Sequence, residues 1–306
     1  MSDEGTADVT EVILTANQYG KAENRVVRVV RDTDRHEIVD LNVTSQLRGD
    51  FAAAHTGGDN AHVVATDTQK NTVFAFAKDG IASPETFLLR LADHFTAGFD
   101  WVTGGRWAAE QYGWSRIDDH DHAFYRNTPE TRTAVVVCDG EDTTVISGFH
   151  GLTVLKTTQS GFVGYPRDRY TTLPETEDRI LATDIATRWR YSTSAVASGD
   201  LDFNAVYDAV KTTLLTTFSR GYSKALQHTL YQMAEAVLSE QDSIDEIKFS
   251  CPNKHHFTYD LSFCGLDNPN EVFYAADRPY GLIEATVQRV GSPTADAAWM
   301  GVAGFC

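Results

Sequence analysis

One pattern occurs twice along this chain of 306 residues, and it limits the folds open to it more than any other feature. Strand-like segments come first, two amphipathic helices follow, and strands return. In the first half, alternation of apolar and polar residues predicts strands over Val12 to Gln18, Val26 to Arg31, and around Ile38, Leu41 and Val43. A short apolar run, Thr72 to Ala77, predicts a helix. Ser83, Pro84 and Glu85 then supply an N-cap, a first-turn proline and an acidic first turn, and Phe87, Leu91, Phe95 and Phe99 place an apolar residue every fourth position. Arg106 to Tyr112 and His120 to Arg126 read as strands again.

The second half repeats this order. Thr133 to Cys138 and Gly151 to Leu155 read as strands. Asp202 and Asn204 offer caps to a helix whose Val206, Val210, Leu214 and Phe218 share a face, and Leu226, Leu230, Met233 and Val237 mark a second. Glu246 to Ser250, His256 to Leu261, Glu271 to Tyr274 and Leu282 to Gln288 complete the repeat as strands. The fold class is therefore α+β, built from two tandem ββααββ units without sequence identity between them. An N-terminal tail (residues 1–10) precedes a first unit over 11–138 and a second over 139–306. No Pro/Ser-rich linker separates the units, which predicts one shared sheet. Helices gathered on one face leave open sheet edges, and oligomerisation would close them.

With 26 Lys and Arg against 43 Asp and Glu, the formal charge is -17. Such a surface repels nucleic acid and anionic membranes, so no role with either is expected. Residues 1–10 lack the basic start and apolar stretch of a signal peptide, no run approaches a membrane span, and Gly304, Phe305 and Cys306 are no peroxisomal address. A cytoplasmic location is expected. Cys138, Cys251, Cys264 and Cys306 are scattered without a CxxC pair, as suits reduced thiols.

Five separated segments carry a more specific signal. They are Gln18 to Lys21; Val64 to Thr72 (VATDTQKNT); Arg167 to Leu173 (RDRYTTL) running into Asp178 to Asp184 (DRILATD); Pro252 to Phe257 (PNKHHF); and Asn268 to Tyr274 (NPNEVFY). Together, in this order, they resemble the uricase (urate oxidase) family. The resemblance implies the tunnelling fold (T-fold), in which dimers close a barrel and two barrels stack into a homotetramer. It also implies oxidation of urate by O2, without flavin or metal, to 5-hydroxyisourate and hydrogen peroxide.

Urate is a flat anionic purine with N–H and C=O groups on its rim. A site for it needs a planar cation, an amide and an aromatic face, and the family's positions give these to Arg179, Gln227 and Phe162. Arg179 would grip two rim acceptors through its fork, Gln227 would donate and accept, and Phe162 would stack on the ring. The resemblance assigns a backbone N–H contact to Leu226, and to Thr66 and Asp67 a contact with the purine rim from a neighbouring subunit. It makes Lys21 and Thr66 a proton relay extended by His255, and has Asn253 hold O2 and then water above the ring. The active sites would then lie at subunit interfaces.

Two other features are ligand-like. His120 and His122 within Asp119-His120-Asp121-His122, and the loose set Cys251, His255, His256 and Cys264, could suit a metal but lack the paired spacing of a structural zinc site. Two alternative functions accompany the main one: a metal-dependent T-fold enzyme acting on pterins, and a non-catalytic purine-binding protein. The first needs a His/Cys metal cluster, and the second would have lost the relay of Lys21, Thr66 and His255.

Overall fold

The computed structural model describes residues 11–126 and 129–302. Eight long strands form a single sheet: β1 (Tyr19–Val30), β2 (Glu37–Gly49), β3 (Val102–Tyr112), β4 (Thr131–Asp139), β5 (Asp142–Lys156), β6 (Leu181–Tyr191), β7 (Ile244–Thr258) and β8 (Phe273–Gln288). They lie side by side in chain order, and every neighbouring pair is antiparallel. Helices α1 (Thr66–Asp79) and α2 (Pro84–Gly98) intervene between β2 and β3, and α3 (Phe203–Arg220) and α4 (Leu226–Glu240) between β6 and β7. The expected shared sheet is present. Its two halves meet at the hairpin between β4 and β5, where Asp139 pairs with Asp142 and Gly140 adopts φ +61°.

All four helices pack on one face of the sheet. Alternate residues of the strands, among them Leu41, Val43, Leu47, Trp107, Val136, Phe149, Ile185, Trp189 and Phe249, join Phe87, Leu91, Phe95, Val210, Leu214, Leu230, Met233 and Val237 in one buried cluster. The caps read from the sequence are in place. Ser83 Oγ accepts from Thr86 N ahead of Pro84, and Asp202 accepts from the N–H groups of Asn204 and Ala205. The opposite face carries Arg48, Arg106, Arg188, Arg190, Glu246 and Lys248, and is covered in part by a C-terminal turn, Asp296–Trp299. Trp299 Nε1 donates to Glu246 Oε2 at 3.0 Å there.

Some elements differ from the expectation. Val12 to Gln18 is not a strand: Tyr19↔Leu47 is the first pairing, and Val12 and Ile13 are exposed. Alternation alone does not make a strand where no neighbour lies alongside to take its hydrogen bonds. His120 to Arg126 reduces to Phe124–Tyr125, paired with Ser115–Arg116 in a two-stranded ribbon, because Asp118 and Asp119 turn the chain at positive φ. The helix expected at Thr72 to Ala77 begins at Thr66, its first turns polar, with Thr68 and Asn71 exposed and Gln69 buried where it accepts from Ser45 Oγ. β6 goes beyond the strands expected, and the separate segments after Glu246 merge into the long β7 and β8, the latter bulged between Ala276 and Gly281.

A buried ion pair of the first half is tied to the second through Ser147 and Asn204. Glu85, in the first turn of α2, is fully buried and accepts from Arg132 Nη2 of β4 at 2.7 Å and from Ser147 Oγ of β5. Arg132 also donates to Asn204 Oδ1 at the start of α3, and Asn204 Nδ2 donates to Ala82 O just before α2. A charge stripped of water this completely is tolerable only with such partners. Glu85→Ala should therefore lower unfolding stability by about 3–5 kcal/mol in reversible denaturation. Glu85→Gln, which keeps the shape and one acceptor oxygen, should cost less; a loss equal to that of the alanine variant would show that the charge carries the whole effect.

Candidate active site

The loop between β5 and β6, residues 157–180, is built like a strap with few hydrogen bonds. Phe162 N donates to Thr176 O at 2.7 Å and Thr176 N to Phe162 O at 3.2 Å, while Arg179 N donates to Ser160 O at 2.8 Å. Gly161 N donates to Ser223 O and Ser223 N to Gln159 O, both at 2.9 Å, which ties the strap to the segment leading into α4. Glycine at 161 permits this close approach, since a Cβ there would come within 2.3 Å of Tyr222 Oη and 3.0 Å of Thr176 O.

The strap brings Phe162 and Arg179 to the wall of a cavity of about 650 Å3, whose other wall is the end of β7 with Asn253, His255 and His256. Thr176, Asn270 and Phe273 also line it. The Arg179 guanidinium carbon sits 5.2 Å from the centre of the Phe162 ring. Its Nε is buried without a hydrogen-bond partner. Burial lowers the Arg179 pKa, Tyr222 opposing slightly, so the site holds a desolvated planar cation over an aromatic ring. The His255 pKa is also lowered, first by burial, then by the charges of Arg179 and His256.

Leu226 and Gln227 open α4. Leu226 is buried, and Ala225 before it provides no side-chain cap, so the first-turn N–H groups have no side-chain acceptor from that position. Gln227 is exposed and does not line the cavity.

Lys21, Thr66 and Asp67 form a second group elsewhere. Thr66 and Asp67 are the first residues of α1, and the charge of Lys21 on β1 reaches Asp67. The Asp67 pKa is lowered chiefly by its hydrogen bond and ion pair with Lys70, then by Asn71. Lys21 pairs with Ser45, Ser45 with Trp107, Trp107 with Val136 and Val136 with Val145; one residue along, Ile146 pairs with Arg190 on β6 and Arg190 with Glu246 on β7. Asn253 lies seven residues further along β7, ~23 Å at strand rise, and six strand spacings, ~29 Å, across the sheet from β1. The two groups sit at diagonally opposite corners of one chain.

Neither ligand-like spacing becomes a metal site. The His120 and His122 rings touch at 4.4 Å, yet among the described residues no three His, Cys, Asp or Glu side chains converge as ligands. Cys251 is buried in the core, its thiol pushed up to about 12 by burial, while Cys264 is exposed and donates to Leu261 O. The cluster that a metal-dependent pterin enzyme would need is not formed.

The sequence model of the family described as Uricase matches residues 17–137 and 145–284, across both groups. The chain belongs to the uricase family. A uricase of Arthrobacter globiformis is 64% identical over 301 residues, 98% of each chain, and one of Dictyostelium discoideum is 37% identical over 284 residues, covering 90% of this chain and 97% of the other. The crystal structure of the Arthrobacter globiformis uricase superposes with a TM-score of 0.91, covering 95% of this chain and 99% of that one at 64% identity. The family's tunnelling fold is thus the fold of this chain. In the uricase frame the residues missed by sequence reasoning are Thr176 and Gly161 of the strap and Asn270 of the loop before β8. Asn270 lay inside a quoted family segment, and a glycine flanked by Ser160 and Phe162 was the signal for the close approach.

The depressed His255 pKa gives a test. Burial and the Arg179 cation both disfavour the imidazolium, so its midpoint in NMR titration of the ligand-free protein should fall below the ordinary 6.5. In Arg179→Gln, which removes a like charge, the midpoint should rise. The unfolded chain binds this proton more readily, so His255 contributes to a loss of stability as pH drops through the ordinary value. An unchanged midpoint in the variant would remove Arg179 as a cause.

Proposed function

We propose that this chain binds urate with its ring on Phe162 and its rim on the Arg179 guanidinium, and oxidises it with O2 at sites completed by a second copy. The observation that carries this reading is the buried Arg179 Nε without a partner beside an aromatic ring: a planar donor fork already stripped of water is matched by a planar anion with rim acceptors. The first-turn N–H of Leu226, and Gln227 beside it, would meet the purine rim. Asn253 faces the cavity from β7, where it would hold O2 and later water.

The chemistry proceeds by proton removal and then electron transfer. Lys21 and Thr66 take a proton from the bound urate monoanion, and His255, kept neutral by its surroundings, reloads them. Two electrons pass from the dianion to O2, which takes up two protons and leaves as hydrogen peroxide. Water then adds to the oxidised ring to give 5-hydroxyisourate. No flavin or metal is required in this scheme, because the dianion is itself electron-rich.

Because Lys21, Thr66 and Asp67 lie at the far corner of the same chain, the Lys21, Thr66 and Asp67 that serve one cavity come from a neighbouring subunit. The open edges support this arrangement. β1 exposes Val27 and Val29, and β8 exposes Tyr274, Tyr280 and Leu282, an apolar rim with unpaired backbone groups that a second sheet would cover. Two such sheets closing a barrel, and two barrels stacking, give a homotetramer. No helix among the described residues is long and apolar enough to cross a membrane; a cytoplasmic enzyme fits this together with the acidic surface.

Loss of urate absorbance by purified, chelator-treated protein tests the reaction directly; a stoichiometric metal whose removal abolishes turnover would overturn it. The shared site has its own test. Lys21→Ala should lower turnover about 10²- to 10⁴-fold, and Arg179→Gln should abolish urate binding. Co-assembling the two inactive variants should restore about a quarter of native activity, since half the dimers are mixed and each mixed dimer holds one intact site. No recovery would mean that each chain completes its own site.

A further inference from the structure

Phe162 has two faces, and only one of them meets the cavity. The chain turns back two residues later through Gly164, at φ +76°, and lays the Tyr165 ring against Phe162 with centroids 4.8 Å apart and planes 13° from parallel. Tyr165 is not among the residues lining the cavity, whereas Phe162 and Arg179 are. It therefore backs the ring from the side away from the cavity. Its hydroxyl donates to Leu173 O, on the returning arm of the strap, and Gly164 N donates to Glu175 Oε1 at 2.8 Å. The Arg167 guanidinium carbon lies 5.9 Å from the Tyr165 ring on this tier.

We propose that Tyr165 is a positioning residue, a second aromatic tier that fixes the plane of Phe162 so that its open face is presented flat to the purine. The inference rests on the reading of Phe162 as the stacking platform. Without backing, a phenylalanine on a strap held by a few backbone hydrogen bonds tilts about χ1 and χ2, and each purine that binds has to order it first. With Tyr165 in place the ring is ordered beforehand. The gain then appears in binding, while the proton relay, contributed from elsewhere, is left alone.

The test is Tyr165→Ala, Tyr165→Leu and Tyr165→Phe, with Phe162→Ala as reference, measuring urate kinetics and the calorimetric Kd of xanthine. Tyr165→Ala should raise KM and Kd about three- to tenfold, the worth of a stacked aromatic pair, with kcat at saturation and the thermal midpoint unchanged. Tyr165→Phe keeps the ring and should restore binding to within about twofold, whereas Tyr165→Leu, which fills volume without a plane, should resemble Ala. Rescue by Leu equal to that by Phe would overturn the proposal in favour of bulk alone, and Phe as weak as Ala would overturn it in favour of the hydroxyl. Unchanged binding in Tyr165→Ala beside lost binding in Phe162→Ala overturns this inference only. Unchanged binding in both overturns the platform itself.

Discussion

The Glu85–Arg132 pair is the constraint on which the relation between the two halves depends. It joins the first turn of α2 to β4 and β5 and, through Asn204, to the first turn of α3. A buried ion pair adds little net stability compared with apolar residues of the same size, but it punishes every arrangement that separates its members. Apolar surfaces of two similar helix pairs could slide across a sheet with small penalties; moving the second half here would strip Ser147 and Asn204 from a buried carboxylate and its guanidinium. The Arg132 side chain also lies 4.4 Å over the Tyr207 ring, whose hydroxyl donates to Glu130 at 2.6 Å, so the same cluster fixes where α3 sits.

Much of this architecture was legible in the sequence because it is written in local terms. The caps at Ser83 and Asp202, the four-residue spacing of Phe87, Leu91 and Phe95, the alternation in β2 and the apolar run Thr133 to Cys138 of β4 depend only on neighbours along the chain, and each appears where expected. What was not legible depends on distant partners. Val12 to Gln18 reads as alternating but has no strand alongside among the described residues, while β6 is a strand because β5 and β7 flank it on both sides. The lengths of β7 and β8 likewise follow from each other.

The site divides in the same way. Family segments pointed to Phe162, Arg179, Asn253 and His255, and the fold does bring these to one cavity. They gave no hint that Gln227 would stand exposed at the start of α4, outside that cavity, and they implied a neighbouring subunit for Thr66 and Asp67 without saying how far Lys21 lies from the cavity in one chain. Spacing along the chain carries no information about which corner a strand end reaches; only the register, followed row by row, does. Nor could residue types reveal that Arg179 Nε is buried without a partner, which is a property of the packed strap rather than of arginine.

The seam between the halves, where Asp139 pairs with Asp142, has a kinetic meaning. Two strands joined by so tight a turn inside a continuous sheet have no hinge, so the corners of the molecule keep a fixed separation and the sheet acts as a rigid gauge. Whatever opens to admit a ligand and closes over it cannot be the two halves moving apart. That motion falls to the 157–180 strap, which crosses from β5 to β6 with sparse backbone bonding and carries both Phe162 and Arg179. Any adjustment to a ligand is then left to this segment of about two dozen residues, apart from the sheet that supports it.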